Sequence, residues 1–134
     1  MEAPVALEGK TALVFGGSRG IGAAAARRLA QEGADVALTY VSAPQRAAET
    51  VAAIDAAGRA GIAIQADSAD PAAIRGAVAQ TVERFGELNI AVVNAGILML
   101  GDIATVSVED LDRMLSINVR GVFLAIQAAA AHMA

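Results

Sequence analysis

The chain has 134 residues, no cysteine, ten lysines and arginines against fourteen acidic residues, and a 56% hydrophobic composition. That length suits one domain, and with no cysteine and one histidine (His132) there is neither a disulfide framework nor a ligand set for structural metal. A net charge of −4 with 3% aromatic residues excludes a nucleic-acid binder, which needs a basic face and stacking rings. At the start, Met1-Glu2-Ala3-Pro4 lacks the basic segment of a signal peptide, and no long uncharged apolar stretch follows. A soluble, cytoplasmic protein is expected.

The first apolar run is Thr11-Ala12-Leu13-Val14-Phe15, and similar runs begin at Val36, Ile62 and Ile90. Each is short and nearly continuous in apolar character, as strands covered on both faces are. Helical spacing fills the intervals, at residues 21–32, 43–57 and 71–85. Strand and helix in alternation predict an α/β fold with a parallel sheet and right-handed crossovers. About a quarter of the residues are alanine, which gives thin helices able to pack closely on that sheet. Gly33, Gly58, Gly61 and Gly86 follow the three helices where left-handed C-terminal residues are wanted. Asp70-Pro71 sets a capping carboxylate before a proline at the first helical position. Ser107-Val108-Glu109-Asp110 opens a last helical pattern through Leu111, Met114, Leu115 and Ile117. Nothing along the way reads as a domain linker.

The first strand runs into Gly16-Gly17-Ser18-Arg19-Gly20-Ile21-Gly22 and then at once into a helix. Such a turn brings bare backbone N–H groups and the positive end of a helix dipole towards an anion. Glycines at 16, 20 and 22 make G-x-x-x-G-x-G, which is neither the common G-x-G-x-x-G nor a P-loop. Alone it is equally a tight strand–helix connection; after the first strand of an alternating pattern it reads as a phosphate site.

Here the chain resembles the short-chain dehydrogenase/reductase family, and four signals carry the resemblance in the family's order. They are the glycine turn, Asp67-Ser68 after the third strand, Val93-Asn94-Ala95-Gly96 at the end of the fourth, and Asn118 within Ser116-Ile117-Asn118-Val119. The resemblance implies a Rossmann-like doubly wound sheet. It also assigns nucleotide contacts to Gly16, Ser18, Arg19, Gly20, Ile21, Gly22, Tyr40, Ser42, Asp67, Ser68, Asn94, Ala95 and Gly96. Asp67 would meet the adenine amino group, and Asn118 would be the catalytic-tetrad asparagine, interrupting the last helix. Each has a plainer reading by itself: Asp67 as a cap, Asn94-Ala95-Gly96 as a turn, Asn118 as a helix residue. One departure stands out, since the family usually has Thr before the first glycine and this chain has Phe15. Its hydroxyl would brace the loop, a loss of about 1 kcal/mol.

At the end of the second strand stand Tyr40, Val41 and Ser42, where NAD-selective members of such folds carry a carboxylate. Arg19 resembles the basic residue of NADP-preferring members, so NADP(H) is expected over NAD(H); Arg46 is expected to be solvated. The family's chemistry is hydride transfer to or from a carbonyl or alcohol, with a Ser, a Tyr-x-x-x-Lys pair and the Asn. Of these only Asn118 is found here, because the single tyrosine is Tyr40 and Pro44 lies four residues on. Residues 1–134 therefore read as the N-terminal part of an NAD(P)-binding Rossmann domain, inactive by itself. A non-catalytic nucleotide sensor is the alternative, since the motifs also look like the cyclic-di-GMP-binding biofilm-dispersal branch of the family. A Rossmann-like methyltransferase ranks last, lacking its carboxylate after the second strand. The strand at residues 90–93 and the helix carrying Val122, Phe123, Leu124 and Ile126 are expected to be covered by further polypeptide or a second copy in a homo-oligomer.

Overall fold

A computed structural model describes residues 5–133. Four strands, β1 (Thr11–Phe15), β2 (Asp35–Tyr40), β3 (Gly61–Gln65) and β4 (Ile90–Val93), form one parallel sheet in the order β3-β2-β1-β4. The crossovers are α1 (Gly20–Gln31), α2 (Pro44–Ala56) and α3 (Pro71–Phe85). The register pairs Phe15 with Val93 and Tyr40 with Gln65, so the C-terminal ends of all four strands lie along one edge.

Period-two alternation divides β1 between two cores. Ala12 and Val14, with Val36 and Leu38, pack under Ala26 and Ala30 of α1 and Ala47 and Ile54 of α2. Leu13 and Phe15, with Ala37 and Ile64, face Ile74, Ala77 and Val78 of α3 and two alanines from the last helix. Helices thus cover both faces, as in a Rossmann-like doubly wound fold. Small alanine side chains let them approach a sheet whose strands are themselves apolar.

The caps follow the sequence closely. Asp70 accepts from the Ala72 N–H at 3.0 Å, and Gly86 ends α3 at φ 86°. Gly61 differs from expectation: it opens β3 instead of ending a helix, and a Cβ there would press on Ile54 at 3.0 Å. The last helical pattern is three segments, α4 (Val108–Leu115), a π-helical turn (Ser116–Gly121) and α5 (Val122–Ala130). Ser107 caps α4 by accepting from the Asp110 N–H at 3.1 Å.

The chain crosses to the other side of β1 when it enters β4. Strand order reverses there, and in open α/β sheets ligands bind in the crevice that such a reversal leaves.

Candidate functional site

A cleft of about 470 Å³ opens at that point, above the C-terminal ends of the strands. Its floor is the glycine turn after β1, one wall is Tyr40, Val41 and Ser42 after β2, and the other is Asn94, Ala95 and Gly96 after β4. Asp67 and Ser68, after β3, stand at one end.

The turn is held from several sides. Thr39 on β2 accepts the Gly16 N–H on its hydroxyl at 2.9 Å and the Gly17 N–H on its carbonyl at 3.0 Å. Asn94 donates from Nδ2 to the Gly16 carbonyl at 3.3 Å, tying β4 to the turn. Gly16 takes φ 81°, and a Cβ on it would meet the Ala95 backbone at 3.0 Å. The first turn of α1 then presents N–H groups that have no intrahelical acceptor. Unlike α3 and α4, α1 has no side-chain cap, and unlike α4 it has no acidic residue in its first turn. An anion is the partner this terminus suits, and a dinucleotide's pyrophosphate fits the glycine floor beneath it.

Phe15 is 1% exposed and belongs to the core, so it offers the turn nothing. The hydroxyl expected before the first glycine comes instead from the neighbouring strand, through Thr39. Gly22 is buried behind the turn and does not line the cleft. A Cβ there would run into the Gly16 carbonyl oxygen and lie 2.8 Å from Asn94 Nδ2. Its contribution is to let helix and turn close on each other.

Asp67 has both oxygens engaged. Oδ1 accepts from the Ala69 N–H at 2.9 Å, and Oδ2 pairs with Arg113 of α4 at 3.0 Å. Arg120 donates to the Ala69 carbonyl at 2.6 Å, latching the same loop to the π-helical turn. That turn carries Asn118, whose Oδ1 accepts from the Ile97 N–H at 2.9 Å and whose Nδ2 donates to the Ile97 carbonyl at 2.7 Å. Single π-helical turns inside helices recur at functional sites, where the extra residue re-aims side chains. Here the helix breaks as the resemblance implied, with Asn118 clamping the loop that follows Gly96.

Every expected nucleotide-contacting residue except Gly22 lines the cleft, and Asn118 is tied to Ile97 at its rim. Arg46 is exposed outside it. Sequence reasoning missed Thr39, Ile97, Arg113 and Ile117, which also line it. Thr39 reads as one more strand residue, and Arg113 as a favourable charge in a helix's last turn, so neither carries a local signal.

Residues 10–134 match the family model described as short chain dehydrogenase. Versicolorin reductase 1 of Aspergillus parasiticus is 44% identical over 127 residues, covering 95% of this chain and 48% of that protein. An L-rhamnose 1-dehydrogenase (NAD(P)(+)) of a Sphingomonas species is 43% identical over 127 residues, 95% of this chain and 50% of that one. Among solved structures, a short chain dehydrogenase from Burkholderia cenocepacia in complex with NADP superposes with a TM-score of 0.94. It is 56% identical, and the match covers 96% of this chain and 52% of that chain. The chain spans about half the length of the curated relatives it matches.

Proposed function

This chain belongs to the short-chain dehydrogenase family, and from that premise we propose that residues 1–134 form the NADP(H)-binding part of an oxidoreductase acting on a carbonyl or alcohol substrate. The observation that carries the reading is convergence. A glycine turn, a helix terminus without a cap, Asp67 and Asn94-Ala95-Gly96 meet from separate elements in one cleft at the strand reversal.

When bound, a nicotinamide nucleotide would donate a hydride to a carbonyl or accept one from an alcohol. The first turn of α1 holds the pyrophosphate, and Asp67 accepts from the adenine amino group. Arg19 lines the cleft with Tyr40 and Ser42, where it would hold a 2′-phosphate, and no carboxylate directly follows β2 to repel it. Asn118 fixes the loop after Gly96 through Ile97 and would hold the proton path near the reacting carbon. The general acid, a tyrosine with its lysine by family resemblance, is not among these residues, so residues 1–134 by themselves turn over no substrate. The open edge of β4 and the exposed face of α5 fit cover by further polypeptide or by a second copy in a homo-oligomer, in the cytoplasm.

The test is an equilibrium titration of the protein with NADPH and NADH. NADPH binds more tightly, and Arg19→Ala narrows the gap by roughly 1–3 kcal/mol, the scale of a charge-assisted contact. Equal affinities in the wild type, or binding of cyclic-di-GMP in place of either nucleotide, contradict the assignment.

A further inference from the structure

Asp67 presents an acceptor-only group at one end of the cleft, and an acceptor is useful to a ligand only if its lone pairs point the right way. A carboxylate has about four lone-pair sites. Two are occupied here, one by the Ala69 N–H at 2.9 Å and one by Arg113 at 3.0 Å. With each oxygen held by a different donor, the carboxylate cannot rotate freely, and its remaining lone pairs have fixed directions.

Arg113 comes from a distant part of the chain, 46 residues after Asp67, on a helix with no buried residue. Its side chain is 42% exposed and that of Asp67 33% exposed. Ion pairs so open to water contribute little to stability, so the contact gains the fold almost nothing. Both partners line the cleft, and the effect of the pair falls on what enters it.

We infer that Arg113 is a positioning residue for the nucleotide base: it orients the Asp67 carboxylate to accept from an exocyclic amino group and so sets a preference for adenine over hypoxanthine. The inference rests on the dinucleotide reading above and assigns it a discriminating element. A purine that carries an amino group at this position satisfies the fixed lone pairs. A purine with a carbonyl there sets oxygen against oxygen.

The probes are NADPH and its hypoxanthine counterpart, nicotinamide hypoxanthine dinucleotide phosphate, titrated against wild type, Arg113→Met, Arg113→Lys and Asp67→Asn. Wild type is expected to prefer NADPH by roughly ten- to hundredfold, the range of one hydrogen bond to a charged group. Arg113→Met shrinks that ratio severalfold, and Arg113→Lys, which keeps a donor without the planar fork, retains most of it. In the Asp67→Asn background, Arg113→Met has no further effect on the ratio, because the two residues act as one unit. A ratio unchanged by Arg113→Met, whether both affinities hold or both fall together, makes Arg113 a mere tether of α4 and overturns the inference alone. Failure of the wild type to bind either probe overturns the dinucleotide reading on which it stands.

Discussion

The first strand with its helices and the last strand with the helices after it are built from the same kind of sequence and end in different states. β1 is buried along all five residues, with Ala12, Leu13 and Val14 at 0% exposure, and α1 and α2 close over one of its faces. β4 is as apolar in sequence, yet all four of its residues are only half-buried, because one edge has no neighbour among the described residues. Beyond it Leu98, Leu100 and Ile103 are exposed, α4 has no buried residue, and Phe123 and Ile126 on α5 face outward. Apolar pattern alone therefore reports what a segment can bury, and packing partners decide whether it does. The cleft draws on both regions: its glycine floor from the first, and from the second a wall that Asn118 holds through Ile97.

The sharpest way to break that contrast is at the floor. Gly22→Val puts a branched side chain into the Gly16 carbonyl, where backbone and not a pliable side chain must give. We expect a loss of about 3 kcal/mol or more in urea denaturation, with nucleotide binding abolished. A stable protein with normal affinity would mean the turn is not rigid. On the second region, Asn118→Ala in the full enzyme should lower kcat by about a hundredfold, while nucleotide affinity falls far less. Steady-state kinetics beside a binding titration separate the two; equal losses in both would make Asn118 a structural clamp on Ile97 only.

Smaller effects sharpen the comparison. Thr39→Val keeps the shape of a buried β2 residue and removes the acceptor for the Gly16 N–H. It should cost about 1 kcal/mol of stability and weaken NADPH binding, with Thr39→Ser restoring both. Thermal denaturation with and without nucleotide reads this out. Least of all, Phe123→Ala should change the stability of residues 1–134 by within about 0.5 kcal/mol, as surface substitutions do. In the full protein the same change should cost several times more if that face is covered, and an equal small effect in both would show it bare.

Most of the fold was legible in the sequence because its signals are local. Residues 71–85 appear as α3 with the expected Asp70 cap and Gly86 end, and the four apolar runs are the four strands. The glycine turn was legible because a positive φ and close backbone approach at Gly16 demand glycine, whereas Asp67 and Asn94-Ala95-Gly96 stood out only through the family resemblance. Thr39 and Arg113 were not, since their partners lie 23 and 46 residues away and only the strand order brings them together. The packing role of Gly22 was not legible either, because a glycine needed for close packing and one needed for ligand approach look alike in sequence.

The central claim is that a nicotinamide dinucleotide lies in the cleft at the strand reversal, and backbone amide hydrogen exchange with and without NADPH tests it residue by residue. NADPH should slow exchange in three separated stretches, residues 16–22, 66–69 and 94–97, and leave the outer face of α5 unchanged. Protection confined to α3 and α5, or none at saturating NADPH, would contradict it.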